Sequence, residues 1–106
     1  MITANFNYHQ DKVNSFEMNG HAYAGEPGED LVCAAVSAIV FGLTNSIITL
    51  DESELEIKME DGYLLVENIP TSEGAQMLIY GMLISLQTVE EDNFKYLTVI
   101  ENKSSK

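Results

Sequence analysis

The sequence predicts an α+β domain, a two-layer sandwich of about five strands and two helices in the order ββαββαβ. Short segments in which apolar and polar residues alternate predict the strands, and two longer segments with apolar residues at helical spacing predict the helices. Glycine, proline and acidic clusters separate these segments and predict the turns. The 106 residues and 45% apolar content are typical of one globular domain, so we assign residues 1–106 to a single domain.

The N-terminal segment predicts a β-hairpin, because two alternating stretches flank the polar turn 9–12. The alternating apolar residues are Ile2, Ala4 and Phe6 in the first strand and Phe16 and Met18 in the second. Residues 20–29 follow and contain Gly20, Gly25 and the pair Pro27-Gly28, which disfavour a regular element. We therefore expect a loop at residues 20–29.

An apolar helix is predicted over about residues 31–43. Asp30 fits its N-cap, where a carboxylate accepts a hydrogen bond from a free amide of the first turn, and Gly42 and Asn45 are candidate stop signals. The helix is apolar on nearly every side, so we expect it to pack against the sheet and against a partner subunit. Its apolar run, 31–40, is shorter than the roughly 20 residues of a membrane span, which predicts no membrane segment.

A second hairpin is predicted after the polar connection 49–54. Residues 55–59 alternate, Glu60-Asp61-Gly62 is a hairpin turn signal, and residues 63–66 return as a strand. Residues 94–101 alternate again and predict the last strand, which is followed by a polar tail.

A second helix is predicted between these strands, after Pro70-Thr71-Ser72. Its apolar stripe consists of Ala75, Leu78, Ile79, Met82, Leu83, Leu86 and Val89. A further apolar strip on this helix consists of Met77, Tyr80 and Ile84. For that strip we favour an interface with another subunit over a cofactor site.

The net charge of −12 is the strongest compositional feature. Such a surface repels phosphate backbones, which argues against direct nucleic-acid binding, and it attracts basic partners over long range. The acidity also has a simpler reading, in which it only keeps the protein soluble. The N-terminus resembles a strand rather than a signal peptide, and a lone thiol fits a reducing compartment, so we expect a cytoplasmic protein.

Cys33, the only cysteine, is the main candidate for chemistry. With Asp30 as N-cap it would be the third helical residue, where the helix dipole favours a thiolate, while the Asp30 carboxylate opposes it. His21 lies in the preceding loop and is the available partner for a thiolate–imidazole pair, which Asp30 would orient. Ser37 follows Cys33 by one helical turn and shares its face, where it holds a water or substrate or bonds back to the helix backbone.

Each of these residues also has a structural interpretation. Cys33 between Val32 and Ala34 fits a small buried core residue, and His21 fits an ordinary polar loop residue. A zinc site from His9, His21 and Cys33 is not supported by any ligand spacing. No phosphate-binding loop or dinucleotide fingerprint is present, so neither a metal nor a cofactor is predicted. A thiol redox sensor is a further alternative.

The segment around these residues resembles the signature of the ribosomal-processing cysteine protease family, Prp. The signature residues are Gly20-His21-Ala22, then Gly25 and Gly28, then Asp30-Leu31-Val32-Cys33-Ala34-Ala35-Val36-Ser37-Ala38. Leu31 is often isoleucine in relatives, and both are apolar. The opening strand, the Phe16 strand and the helix at 76–91 also fall where family members have similar segments, so the resemblance covers nearly the whole chain.

The resemblance implies a bacterial cysteine endopeptidase that removes a short N-terminal extension from large-subunit ribosomal protein twenty-seven and supports ribosome assembly. It implies Cys33 as nucleophile, His21 as general base, supporting roles for Asp30 and Ser37, a homodimer, and a substrate loop at 20–29 that moves when substrate binds. The alternative that we keep is a non-enzymatic acidic module that binds basic ribosomal proteins, in which Cys33 is buried and inert.

Overall fold

The computed structural model describes residues 1–20 and 29–103, with no side-chain description for Glu29 and Asp30. Its elements follow the predicted order ββαββαβ. They are β1 (Ile2–His9), β2 (Lys12–Asn19), α1 (Glu29–Leu50), β3 (Glu56–Glu60), β4 (Tyr63–Glu67), α2 (Glu73–Asp92) and β5 (Leu97–Asn102). The five strands form one sheet in the order β3-β4-β2-β1-β5, in which only the β1–β5 pair is parallel. The predicted α+β fold class is therefore confirmed.

The N-terminal hairpin contains a bulge that explains why Val13 and Phe16 are both fully buried although they are three residues apart. Tyr8 pairs with Val13 whereas Asn7 pairs with Ser15, so Asn14 is the additional residue in β2. A bulge shifts the alternation by one position and returns both apolar side chains to the same face. The carbonyl of Asn14 accepts a hydrogen bond from the Ile69 amide and thereby ties this bulge to the segment before α2.

One continuous core lies between the sheet and the two helices. The sheet contributes Ala4, Phe6, Phe16, Leu64, Val66 and Leu97. The helices contribute Val32, Val36, Val40, Ile47, Ala75, Ile79, Met82 and Leu86. The strand residues that alternate with the core set, such as Asn5 and Asn7, lie on the opposite face of the sheet and are half-buried at most. The two helices therefore form one layer and the sheet forms the other.

α1 extends to Leu50, so the predicted end near residue 43 is wrong. Glycine in a helix costs about 1 kcal/mol relative to alanine, which made Gly42 a stop signal in the sequence. Beyond it, however, Thr44 and Ile47 are buried in the core at helical spacing. Burial of this face outweighs the local preference for termination, and the connection to β3 is correspondingly shorter than predicted.

The full-length α1 also changes the expectation about membranes. Within the described ranges, Leu31–Leu50 is one helix long and apolar enough to cross a membrane by length and composition. Core helices of soluble proteins and signal sequences pass the same test, so this is weak evidence. Its face with Val32, Val36 and Val40 belongs to the protein core.

α2 matches its prediction, with Ser72 at the N-cap accepting a hydrogen bond from the Ala75 amide. The sequence did not predict that Gln76 is buried, since only its apolar neighbours stood out. The Gln76 side chain accepts from the Val13 amide and donates to the carbonyls of Val13 and Pro70, which fixes α2 to the N-terminal hairpin. Tyr80 packs against Tyr8 and the core rather than forming an exposed strip with Met77 and Ile84.

Candidate active site

A groove of about 210 Å³ lies between the N-terminal half of α1 and the β3–β4 hairpin. From α1 and the end of β2 it is lined by Cys33, Ser37, Phe41, Met18 and Gly20. From the hairpin it is lined by Met59, Glu60, Asp61, Gly62, Tyr63 and Leu64. The structure thus brings three of the sequence-predicted site residues, Gly20, Cys33 and Ser37, to one groove.

Cys33 is half-buried and lies at the boundary between core and groove. It packs against the core, as its apolar neighbours suggested, and it also lines the groove. It is a free thiol. Ser37 is half-buried one helical turn later and lines the same groove, so the predicted shared face of Cys33 and Ser37 is confirmed. A thiol in this position is supported by the core on one side and accessible to a ligand on the other.

The start of α1 differs from the prediction. Glu29 and Asp30 are already helical, so Asp30 does not occupy the N-cap position that its sequence context suggested. Cys33 is therefore at least the fifth helical residue and lies in the second turn. The dipole acts mainly within the first turn, so its effect at this position is weaker than the sequence suggested.

Gly20 sits where no other residue fits. Its φ is +105°, and a Cβ added there would lie 2.1 Å from the carbonyl oxygen of Met1. Its amide donates to the carbonyl of Gly62 at 2.9 Å, so the end of β2 is held against the β3–β4 turn. A glycine is required here because backbone approaches from two sides at a positive φ. It fixes the point from which the chain leaves the sheet toward residues 21–28.

His21, Gly25 and Gly28 lie outside the described residues, as do most of the predicted loop 20–29 and the side chain of Asp30. The roles of His21 as base and of Asp30 as its orienting group therefore stay sequence predictions. His9, the other histidine, pairs with Lys12 at the turn of the N-terminal hairpin, whereas Gly20 and the groove lie at the opposite end of β2. His9 is thus too distant for the zinc site considered above. No cluster that could hold a metal occurs among the residues with a described placement.

The sequence did not identify the hairpin wall of the groove. Phe41 could have been found, since it follows Cys33 by two helical turns on the same face. Met59, Glu60 and Asp61 could not, because their approach to α1 depends on the strand order, which local patterns do not determine. Asp61 and Gly62 were recognised only as a turn signal.

Polar and acidic residues border the hairpin wall of the groove. The Tyr63 hydroxyl donates to the Glu17 carboxylate at 2.6 Å, on the sheet face opposite Met18 and Leu64. This hydrogen bond to Glu17 raises the pKa of Tyr63, so the phenol stays neutral at ordinary pH. Glu60 and Asp61 lie beside it at the hairpin turn and are exposed. The groove therefore offers a thiol and apolar side chains with acidic residues at its border, and no Lys or Arg is among its lining residues in the described part of the chain.

Comparison with known proteins relates this groove to a family of enzymes. Residues 1–98 match the family model described as cysteine protease Prp. The ribosomal processing cysteine protease Prp of Bacillus subtilis is 44% identical, with 96% of this chain and 98% of the relative covered. Two crystal structures of the essential ribosomal processing protease Prp from S. aureus are 35% identical and cover 98% of this chain and all of theirs. One holds a covalently linked product peptide (TM-score 0.86) and the other a substrate peptide (TM-score 0.87).

Proposed function

The chain belongs to the cysteine protease Prp family, and from this premise we propose that it removes the N-terminal extension of large-subunit ribosomal protein twenty-seven, with Cys33 as nucleophile and His21 as general base. That it is a cysteine protease follows from its membership of the family. One observation carries the assignment of the site. Cys33, the only cysteine, lines a groove in a chain whose S. aureus relative forms a covalent link to a product peptide.

The first half of the reaction forms an acyl-enzyme. The Cys33 thiolate attacks the scissile carbonyl carbon, and a carbon–sulfur bond forms as the carbonyl π electrons move to oxygen. When this tetrahedral intermediate collapses, the carbon–nitrogen bond breaks. The protonated His21 imidazole gives its proton to the departing amine, so that the leaving group is neutral. The N-terminal part of the substrate is then held on Cys33 as a thioester.

The second half releases the enzyme. The neutral His21 imidazole takes a proton from a water molecule, whose oxygen attacks the thioester carbonyl. The carbon–sulfur bond breaks, the carboxylic acid product leaves, and the thiolate is restored. Asp30 would orient His21, and Ser37 would hold a water or a substrate carbonyl at the groove. The position of Ser37 at the groove, one helical turn from Cys33, supports this proposed role.

The acidic surface supports a basic substrate. The chain carries a net charge of −12, and Glu60 and Asp61 lie on the groove wall. Complementary charge raises the association rate of a basic ribosomal protein, and the effect falls with added salt. The alternative of a non-enzymatic acidic module requires a buried, inert Cys33. The half-buried thiol and the peptide complexes of the S. aureus proteins support the protease instead.

We also propose a homodimer. Leu50, Met77 and Ile84 are 73%, 70% and 61% exposed on the two helices, away from the Cys33 groove. Leu50 and Met77 line a mainly apolar depression of about 240 Å³ together with Asp51, Gly74 and Leu78. Burial of such residues favours association. Sedimentation velocity should show a dimer for the wild type and a monomer for Met77→Glu; a monomeric wild type would contradict the proposal.

A cytoplasmic location fits both the proposed ribosomal substrate and a free thiol as the nucleophile. It is also consistent with the contribution of α1 to the protein core. Cell fractionation with an antibody to the chain tests it, and recovery in the membrane fraction would contradict it.

Cleavage of the ribosomal protein with and without its extension, followed by mass spectrometry, tests the proposed function. The wild type should shorten only the extended form at a single bond. Cys33→Ala and His21→Ala should both abolish cleavage while the circular dichroism spectrum stays unchanged. Cleavage by Cys33→Ala at the wild-type rate would overturn the assignment of the nucleophile.

A further inference from the structure

The floor of the Cys33 groove is an apolar row across three strands. Met18 pairs with Leu64, and Leu64 pairs with Met59, so these three side chains lie on the same face of β2, β4 and β3. Leu64 is buried at 3% exposure, whereas Met59 is 63% exposed. The row is therefore buried at Leu64, in its centre, and exposed at Met59, on the edge strand β3.

Phe41 faces this uncovered part of the floor from α1. It is 41% exposed and lines the groove together with Met59, two helical turns after Cys33. Neither helix covers β3, whose five residues are all exposed. A large aromatic ring and a methionine thus line one groove with the thiol, and the described residues leave both of them partly exposed.

The groove is large enough for one big apolar side chain. A cavity of about 150 Å³ accommodates benzene, and this groove measures about 210 Å³. The eight residues from Cys33 to Phe41 correspond to about 12 Å along the helix axis. An extended peptide covers that distance in about four residues. A side chain that contacts Phe41 therefore belongs to a residue within about four positions of the bond cleaved at Cys33.

The occupant is a peptide rather than a second copy of this chain. Glu60 and Asp61 border the groove and suit a basic peptide, whereas the dimer proposed above uses the exposed apolar residues Leu50 and Met77 on the helices. The structures of the S. aureus relatives contain a substrate peptide and a covalently linked product peptide, so relatives of this fold bind peptides. In this chain the apolar groove includes Cys33, the proposed nucleophile, and Ser37.

We propose that Phe41 and Met59 form a specificity subsite for a large apolar side chain of the substrate, located within about four residues of the scissile bond. The proposal rests on the proposed protease function and adds the residues that select the sequence. A single missing methylene group in an apolar pocket changes kcat/KM by about 10- to 200-fold. Removal of a whole side chain from either partner of the contact should lower kcat/KM by at least about tenfold.

An alanine scan of the substrate peptide against enzyme variants tests the subsite. For the wild type, replacement of one large apolar residue near the cleaved bond should lower kcat/KM at least tenfold. Phe41→Ala and Met59→Ala should lower kcat/KM for the unmodified peptide by a similar factor. In these two variants, replacement of the same peptide residue by alanine should lower kcat/KM less than it does in the wild type. Phe94→Ala is the matched control, because Phe94 is 68% exposed and does not line the groove.

The outcomes separate the subsite from the protease function. The wild type can cleave the peptide while alanine replacement in the peptide lowers kcat/KM by the same factor in the wild type, Phe41→Ala and Met59→Ala. In that case the proposed subsite is wrong and the protease assignment stands. If the wild type cleaves neither the peptide nor the extended ribosomal protein, the proposed function fails and the subsite with it. Thermal unfolding of each variant shows whether the fold is retained, which the exposure of both residues leads us to expect.

Discussion

The two edges of the sheet are built in different ways. At the β5 edge Leu97 is fully buried, the Tyr8 hydroxyl donates to Glu101, and the Val99 amide donates to the carboxylate of Glu90 on α2. At the β3 edge every residue is exposed, including Met59. One edge is closed by packing and side-chain hydrogen bonds, and the other leaves apolar surface free beside Cys33. We infer that the β5 edge, the closed edge, contributes to the stability of the fold. The β3 edge, the open edge, contributes to substrate binding.

The closed edge is also linked to the rest of the sheet by polar side chains. Asn102 donates to the side-chain oxygens of Asn5 and Asn7, and Asn7 donates to Ser15. These hydrogen bonds connect β5, β1 and β2 across the outer face of the sheet. Such a network raises the local free energy of unfolding, whereas β3 pairs with only one strand of the described sheet, β4.

The largest expected difference between the edges comes from matched truncations. Leu97→Ala should lower the free energy of unfolding by about 2–5 kcal/mol, because it leaves a cavity in the core. Ile57→Ala, on β3 and 46% exposed, should cost no more than about 1 kcal/mol. Urea denaturation followed by circular dichroism measures both, and equal losses would contradict the distinction.

The next effect concerns the end of β2, where the chain leaves the sheet beside the groove. Gly20→Ala should destabilise by about 1–3 kcal/mol from the positive φ alone, and the overlap with the Met1 carbonyl adds to this. Gly42→Ala is the control, since a Cβ there meets nothing within 4 Å. It should stabilise the protein by roughly 0.5–1 kcal/mol, as alanine does in a helix. A Gly20→Ala variant as stable as the wild type would show that the close approach is wrong.

The smallest expected effect is a loss of stability at alkaline pH that originates at the closed edge, beside β5. Burial and the hydrogen bond to Glu101 raise the pKa of Tyr8 above its usual value of 10.0. The unfolded chain therefore loses this proton at a lower pH than the folded chain, so stability is present below about pH 10 and falls as the pH rises further. Tyr8→Phe should cost about 1 kcal/mol at neutral pH and should reduce this alkaline loss. The free energy of unfolding, measured from pH 8 to 11, tests this prediction. The same decrease of that free energy with pH in the wild type and in Tyr8→Phe would contradict the account.

Much of this fold can be predicted from the sequence because the chain follows simple periodicities. The strand alternation of Ile2, Ala4 and Phe6 and the helical stripe of α2 gave the correct element order. The failures have tertiary causes. Gly42 and Asn45 did not end α1 because core burial continues past them at Thr44 and Ile47. The last strand begins at Leu97 rather than residue 94, and Phe94 is exposed.

Part of the candidate site could also be predicted from helical periodicity. Cys33 and Ser37 lie one turn apart on a helix, a relation that the sequence encodes directly. Their groove also needs the β3–β4 hairpin, which reaches them only because β4 pairs with β2. Gln76 is a further case, since a buried glutamine is recognisable only when the backbone groups of Val13 and Pro70 are seen around it.

The central claim is that peptide hydrolysis proceeds through Cys33 in the groove at the open edge. Its most direct test is a substrate-derived peptide that ends in a chloromethyl ketone at the scissile position, followed by intact-mass and fragment-mass measurement. We predict one peptide per chain, attached to Cys33, with loss of cleavage in proportion to labelling and protection by excess substrate. Full labelling of Cys33 that leaves the cleavage rate unchanged would contradict the account.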